Sequence, residues 1–345
     1  MYMVSCIEQF IAASGWKQVI NKNEVTGISL MTSKLIINNQ PFILTIEGNE
    51  TQHQIMFSLI PPFRVLTGKS IDACLLANFI NESFNFMGRL TVSEDGELCY
   101  RDSITLAENQ PSFELIHDRI SAGELLFKRH TEQIAAVSLT RKTYEAQQSE
   151  YHRAESAAPP LSAWSSIKNY LKKKYQTFCN ANMSPKPLAK QLHTSLSETG
   201  WQGNIEPHHN GKDSILSTTL LIRNQTFKVK IIALEEWPIF VLYLFPPCSV
   251  MDGKFVDATM LCNAINQSTH HAGTLSLNDH GTIRYREFST AHNLEPSTSL
   301  IHHILERGVA LFEEHLDAIS AVALTEQSYE SIRQDLEQSL FTLEA

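Results

Sequence analysis

Leu75–Ser103 reads LLANFINESFNFMGRLTVSEDGELCYRDS, and Met260–Glu287 reads MLCNAINQSTHHAGTLSLNDHGTIRYRE. Each begins as an apolar run of helical period that ends in N-x-x-N, at Asn78/Asn81 and Asn263/Asn266. Each then crosses a glycine into a short extended segment, turns at Asp95-Gly96 or His280-Gly281, and returns through Tyr-Arg. A two-residue turn between alternating apolar segments predicts a β-hairpin. Helix followed by hairpin, written twice, is the pattern from which the rest of the chain can be read.

The two stretches lie 185 residues apart, and the same ungapped shift extends well beyond them. Gly15-Trp16 recurs as Gly200-Trp201, Pro61-Pro62 as Pro246-Pro247, and Tyr144-Glu145 as Tyr329-Glu330. Self-similarity at one fixed offset is the mark of an internal duplication, and two copies are too few for a solenoid. We therefore expect two homologous domains, 1–145 and 188–345, with a linker at 146–187.

Working outward from the hairpin, three extended segments precede the helix in each copy. They fall near Ser29–Ile37, Phe42–Glu47 and Gln54–Ile60, and near Ile215–Ile222, Phe227–Leu234 and Ile239–Phe245. A short helix opens each copy (Cys6–Ala13; Leu188–Glu198), the central helix covers Ser70–Phe84 or Phe255–Thr269, and a long helix follows Pro111-Ser112 or Pro296-Ser297. The expected order is α-β-β-β-α-β-β-α, an α+β fold in which each domain is an antiparallel sheet packed with helices.

That order, together with the N-x-x-N helix end, the D-G or H-G turn and the Y-R that follows, resembles the YbjN-like family and the wider type III secretion chaperone-like fold. The resemblance covers nearly all of both copies and leaves out the linker. It implies a small, non-enzymatic, commonly dimeric protein; secretion chaperones of this fold hold an unfolded segment of a client. Two fused copies would make a covalent counterpart of such a dimer, an intramolecular pseudo-dimer, with a homodimer as the other possibility. A protein or peptide client is the partner implied, and bacterial sensory transduction regulation the wider setting.

Composition bounds the alternatives. A net charge of −9 argues against general nucleic-acid binding, and no apolar run approaches the roughly 20 residues that span a bilayer. The N-terminus lacks the basic region of a signal peptide and carries Glu8 in its apolar stretch. Six cysteines without a C-x-x-C pair suit reduced thiols in a cytoplasmic protein.

The segment Leu66–Ser70, LTGKS, invites a phosphate-binding reading. The motif needs glycine at 63, where Phe63 stands, and the second copy replaces Ser70 by Phe255. A phenyl ring cannot hold magnesium, so Gly68-Lys69 and Gly253-Lys254 read as a turn into a helix. No G-x-S-x-G or H-E-x-x-H occurs, and no cofactor or metal is expected. His117 and His130 lie roughly 220° apart around one helix. The doublets His208-His209, His270-His271 and His302-His303 do not recur as doublets in the other copy. The enzyme alternative would assemble a site between the repeats from histidines with Arg101 and Arg286.

Several repeated residues carry a structural and a functional reading together. His130 and His315 interrupt the apolar stripe of the long helix, either as core histidines bonded to a backbone carbonyl or as pH-sensitive interface groups. The paired asparagines either fix the following strand or offer amides to a peptide. Arg101 and Arg286 make a cross-strand ion pair or meet a carboxylate or phosphate. Trp164, Ile167, Leu171 and Phe178 with Lys172–Lys174 describe a basic amphipathic helix in the linker, which docks on a repeat or contacts a membrane or partner.

The third strand separates the copies. In the first, Gln54, Met56, Ser58 and Ile60 make one face mixed; in the second, Ile239, Val241, Tyr243 and Phe245 make the same face apolar. A strand apolar on both sides is covered on both sides. These four residues are the candidate partner-binding positions, covered by another part of the chain, a second chain or a client.

Overall fold

A computed structural model describes residues 2–14, 20–23, 27–51, 54–83, 87–105, 113–157, 188–198, 200–201, 203–207, 213–234, 239–267, 273–290 and 298–334. The chain divides into two compact units, Met1–Asn81 with Phe86–Arg153, and Glu82–Asn85 with Ala154–Ala345. The expected linker helix at Leu161–Phe178 lies outside the described residues, as do His208-His209 and His270-His271.

In the first unit α1 (Tyr2–Ser14) leads into β1 (Ile20–Asn23), β2 (Ile28–Ile37), β3 (Gln40–Asn49) and β4 (Gln54–Ile60). Helix α2 (Ser70–Ser83) and the hairpin β5 (Arg89–Val92), β6 (Leu98–Thr105) follow, then α3 (Phe113–Leu139) and α4 (Tyr144–Ala157). The second unit repeats the plan with α5 (Leu188–Glu198), β7 (Asn204–Pro207), β8 (Ser214–Ile222), β9 (Gln225–Leu234) and β10 (Ile239–Phe245). It ends with α6 (Phe255–Gln267), β11 (Thr274–Leu277), β12 (Ile283–Thr290) and α7 (Thr298–Leu324). The α+β class and the two sheet-and-helix halves are those expected. Each sheet has six antiparallel strands, ordered β1-β2-β3-β4-β6-β5 and β11-β12-β10-β9-β8-β7. The additional strand in each is the short edge strand β1 or β7, four residues long and without apolar alternation, which is why periodicity did not announce it. The polar stretch after Glu145 continues as α4, with Tyr144 and Gln147 buried.

The helices pack on one face of each sheet. Helix α3 meets β2, β4 and β6, and α7 meets β8, β10 and β12. The inward residues make one core per unit, and the same ring pair anchors both: Phe42 on Phe127 and Phe227 on Phe312, centroids 4.8 Å apart in each case. Such a pair adds roughly 0.5–1.5 kcal/mol beyond the area it buries.

The β2–β3 and β8–β9 hairpins turn through Asn38-Asn39 and Arg223-Asn224, all four with positive φ. Two left-handed residues in a two-residue loop make the type I′ turn, whose twist matches the strands. Asn suits that region and Arg does not. At Arg223 the side chain recovers part of the strain through an ion pair with Asp317 (2.9 Å) and a bond to the Glu313 carbonyl (3.5 Å). Asn38 Nδ2 donates to the equivalent carbonyl, Lys128 O, at 3.3 Å.

The Gly-Lys turn has a structural task. Lys69 Nζ donates to Asp72 Oδ2 (2.6 Å) and to the Lys142 carbonyl beyond the end of α3 (2.7 Å). Asp72 Oδ1 accepts the Tyr144 N–H that opens α4 (2.8 Å). Lys254, Asp257, Gln327 and Tyr329 repeat the clasp at 2.9, 2.6 and 2.8 Å. Lysine and aspartate at this spacing therefore fasten the start of one helix to the corner between two others.

Candidate functional site

Strand β10 is an interior strand of the second sheet, between β9 and β12. Phe240, Leu242 and Leu244 face the helices and belong to the core cluster of that unit. Ile239, Val241, Tyr243 and Phe245 alternate with them and face the other way. Ile239, Val241 and Tyr243 lie outside that core cluster, yet they are 2%, 1% and 7% exposed; Phe245 is half-buried. The strand is apolar and buried on both sides, as its sequence predicts.

Cross-strand register surrounds these four residues with cations and rings. Tyr243 lies opposite Lys230 on β9 and Arg286 on β12, and Val241 opposite Ile232 and Phe288. Tyr243 and Phe245 stack at 6.0 Å with an interplanar angle of 17°. Arg284 lies 5.2 Å over the Tyr243 ring, Arg286 5.3 Å over Phe288 and Lys230 5.9 Å over Phe245. Each cation–ring contact is worth about 0.5–2 kcal/mol, more when water is excluded. Burial pulls the Arg286 pKa down to about 10, because the low-dielectric surroundings disfavour its charge. In the first unit the equivalent face carries Met56, Ser58 and Ile60, all half-buried, with Arg101 opposite Ser58. In the ladder register Arg101 thus lies opposite Ser58, and Arg286 opposite Tyr243.

The other flagged residues go elsewhere. Asn81 Nδ2 donates to Leu90 O (2.9 Å) while its Oδ1 accepts the Leu90 N–H (2.8 Å); Asn266 does the same to Leu275 at 2.7 and 2.8 Å. The second asparagine of each N-x-x-N therefore fixes the following strand, acting as one rung of a ladder on the sheet edge. His130 is buried, and its Nδ1 lies 2.6 Å from Gln133 Oε1. Burial lowers its pKa to about 4, and lowers that of half-buried His315, whose Nε2 is 3.4 Å from Glu314, as well. Both histidines ride on the helices packed against the inner sheet face, whereas Arg101 and Arg286 project from the outer one, so within each unit the sheet separates them. Among the described residues no group of three or more His, Cys, Asp or Glu is placed to hold a metal ion.

Sequence reasoning missed a buried polar network in each core. Tyr100 Oη donates to the Met87 carbonyl (2.6 Å) and lies 3.4 Å from Asp102 Oδ2, which Arg119 Nη1 reaches at 3.3 Å. In the second unit Tyr285 Oη lies 2.5 Å from Glu287 Oε2, and Arg307 grips the same carboxylate. Burial pushes the Tyr100 hydroxyl well above its ordinary value and also raises Asp102, where it outweighs the pull of Arg119. Burial opposes the Arg307 charge, but Glu287 beside it prevails and raises its pKa. The clue was Y-R-D and Y-R-E: the acid two residues after the tyrosine shares its inward face and demands a cation. Glu is one methylene longer than Asp, and its arginine sits about one helical turn further along than Arg119 does.

No protein-family model matches the chain, and no curated protein matches its sequence. Among solved structures it is similar to YbjN of E. coli, at 13% identity and a TM-score of 0.27 over 38% of this chain and 92% of that one. It is also similar to the type III secretion chaperone SycH of Yersinia pestis, solved with a fragment of YscM2, at 13% identity and a TM-score of 0.26 over 38% of this chain and 98% of that one. At these values the likenesses say nothing of activity.

Proposed function

We propose that this is a non-enzymatic protein-binding protein, a chaperone-like or regulatory adaptor, whose repeats pair within one chain as a pseudo-dimer. Its partner-binding residues are Ile239, Val241, Tyr243 and Phe245, and the client is a protein or peptide segment with an apolar contact strip. The observation that carries the reading is the apolar outer face of β10, where the first repeat's is mixed; its residues are covered, so a client reaches them only as that cover is displaced. A sheet face built of rings and aliphatic side chains, bordered by cations, has the composition of an interface centre and rim. The charged groups inside the units support the same reading, since Lys69–Asp72, Arg119–Asp102 and Arg307–Glu287 each fasten one element to another. Pairing of two like domains on one chain needs no second molecule, because the tether supplies a high effective concentration.

The test is affinity capture with the full chain from its host's lysate, compared with a Tyr243→Ser/Phe245→Ile variant. These are the residues that the first repeat carries at Ser58 and Ile60, so the fold has already accommodated them once. A protein captured by the wild type and lost by the variant supports the adaptor reading. Capture that ignores the substitutions, or no specific capture, removes it.

A further inference from the structure

A second feature lies further out on the same sheet, between α5 and strands β7, β8 and β9. An open groove of about 920 Å³ is lined by residues that include Trp201, Asn204, Ser217, Thr219, Lys228 and Lys230, and among the described residues that line it none is acidic. Lys228 and Lys230 are both exposed and alternate along β9, so they project to the same side. Their partners across the ladder are hydroxyls: Thr219 lies opposite Lys228 and Ser217 opposite Lys230. Two ammonium groups and two hydroxyls thus make a two-by-two array of hydrogen-bond donors. At the far side His193 Nε2 donates to the Gly203 carbonyl (3.2 Å), pinning the loop that carries Trp201.

The duplication supplies an internal control. At the positions of Lys228 and Lys230 the first repeat has Ile43 and Thr45, so the cation pair belongs to the second copy alone. In a chain of net charge −9, a cleft whose described lining holds two neighbouring lysines and no carboxylate is locally positive. Low-dielectric walls focus such a potential, and an anion between the lysines relieves their mutual repulsion. A sheet needs none of this to be stable, since exposed lysines side by side cost folding energy.

We infer that the groove binds a small polyvalent oxyanion, a ligand carrying phosphate or carboxylate groups. Lys228 and Lys230 would contact the charge, Ser217 and Thr219 would donate to its oxygens, and Trp201 would wall one side. Lys230 also lies over Phe245 of the partner-binding strip, so the groove adjoins that strip, and anion titration and partner capture test the two readings by different measurements.

Isothermal titration of the full chain with pyrophosphate, and separately with citrate, tests this. The comparison is a Lys228→Ile/Lys230→Thr variant, which installs the residues of the first repeat; Lys228→Gln/Lys230→Gln replaces it if that variant fails to fold. Saturable binding of at least one anion is expected, weakened at least tenfold in the variant and by added salt. The anion preferred identifies the head group. Absence of saturable binding by both anions, or binding that the variant leaves unchanged, would overturn the proposal.

Discussion

Single residues show how closely the two cores are fitted. A Cβ added to Gly123 would lie 2.6 Å from Tyr100 Cδ1, and one added to Gly308 would lie 2.5 Å from Leu244 Cδ1. Gly88 and Gly273 leave room for the other end of the same tyrosines. Gly123 and Gly308 lie on the long helices α3 and α7, and why each helix needs a hydrogen there is visible only once the ring lies on it. Gly123→Ala should destabilise the first unit by about 1–3 kcal/mol through overpacking, read as a lowered thermal midpoint. His130 makes a second prediction. Its folded pKa of about 4 lies below the ordinary 6.5, so the folded state keeps the ring neutral. The stabilisation is complete above pH 6.5 and is lost as pH falls toward 4, because the unfolded chain then takes a proton that the folded one refuses. The full loss is about 3 kcal/mol. Denaturant melts of the wild type should weaken across that window, and His130→Gln should flatten that part of the dependence; an unaltered slope would show that His130 does not carry it.

At the scale of elements, the hairpins, the long helices and the interior strands could be read directly. Gln54–Ile60 and Ile239–Phe245 run as expected because alternation and flanking turns bound them on both sides. The edge strands β1 and β7 could not be read, since four polar-rich residues have no period and their place depends on a neighbour already being there. The asparagine latch was half legible: its spacing showed a shared helix face, but only the fold reveals which strand it clips. Leu90 and Leu275 are buried, so removing the amide strands a donor and an acceptor there. Asn81→Ala or Asn266→Ala should therefore cost on the order of 2–4 kcal/mol. Hydrogen exchange should quicken first at Arg89–Val92 or Thr274–Leu277; loss spread evenly over the unit would contradict a local latch. The Tyr-acid-Arg network was illegible for another reason. The arginine comes from the next helix, 17 residues on in one copy and 20 in the other, so no repeat alignment could pair it.

At the scale of the whole molecule, duplication lets each half report on the other. Features present in both copies, such as the Lys-Asp clasp, the asparagine latch, the ring pair and the buried tyrosine, hold the fold and explain why the repeated motifs repeat. Features found in one copy only are the places to look for function. They are the apolar outer face of β10, against Met56, Ser58 and Ile60 in the first repeat, and the Lys228–Lys230 groove, against Ile43 and Thr45. The candidate strip was legible in the sequence as a strand apolar on both sides, although its cationic surround came only with the register of β12 and β9. The most direct measurement is the affinity of the captured partner for the wild-type chain and for Tyr243→Ser/Phe245→Ile, taken after equal thermal midpoints establish that both are folded. Loss of two aromatic anchors from an interface centre predicts binding at least tenfold weaker in the variant. Equal affinity would contradict the claim that β10 carries the partner.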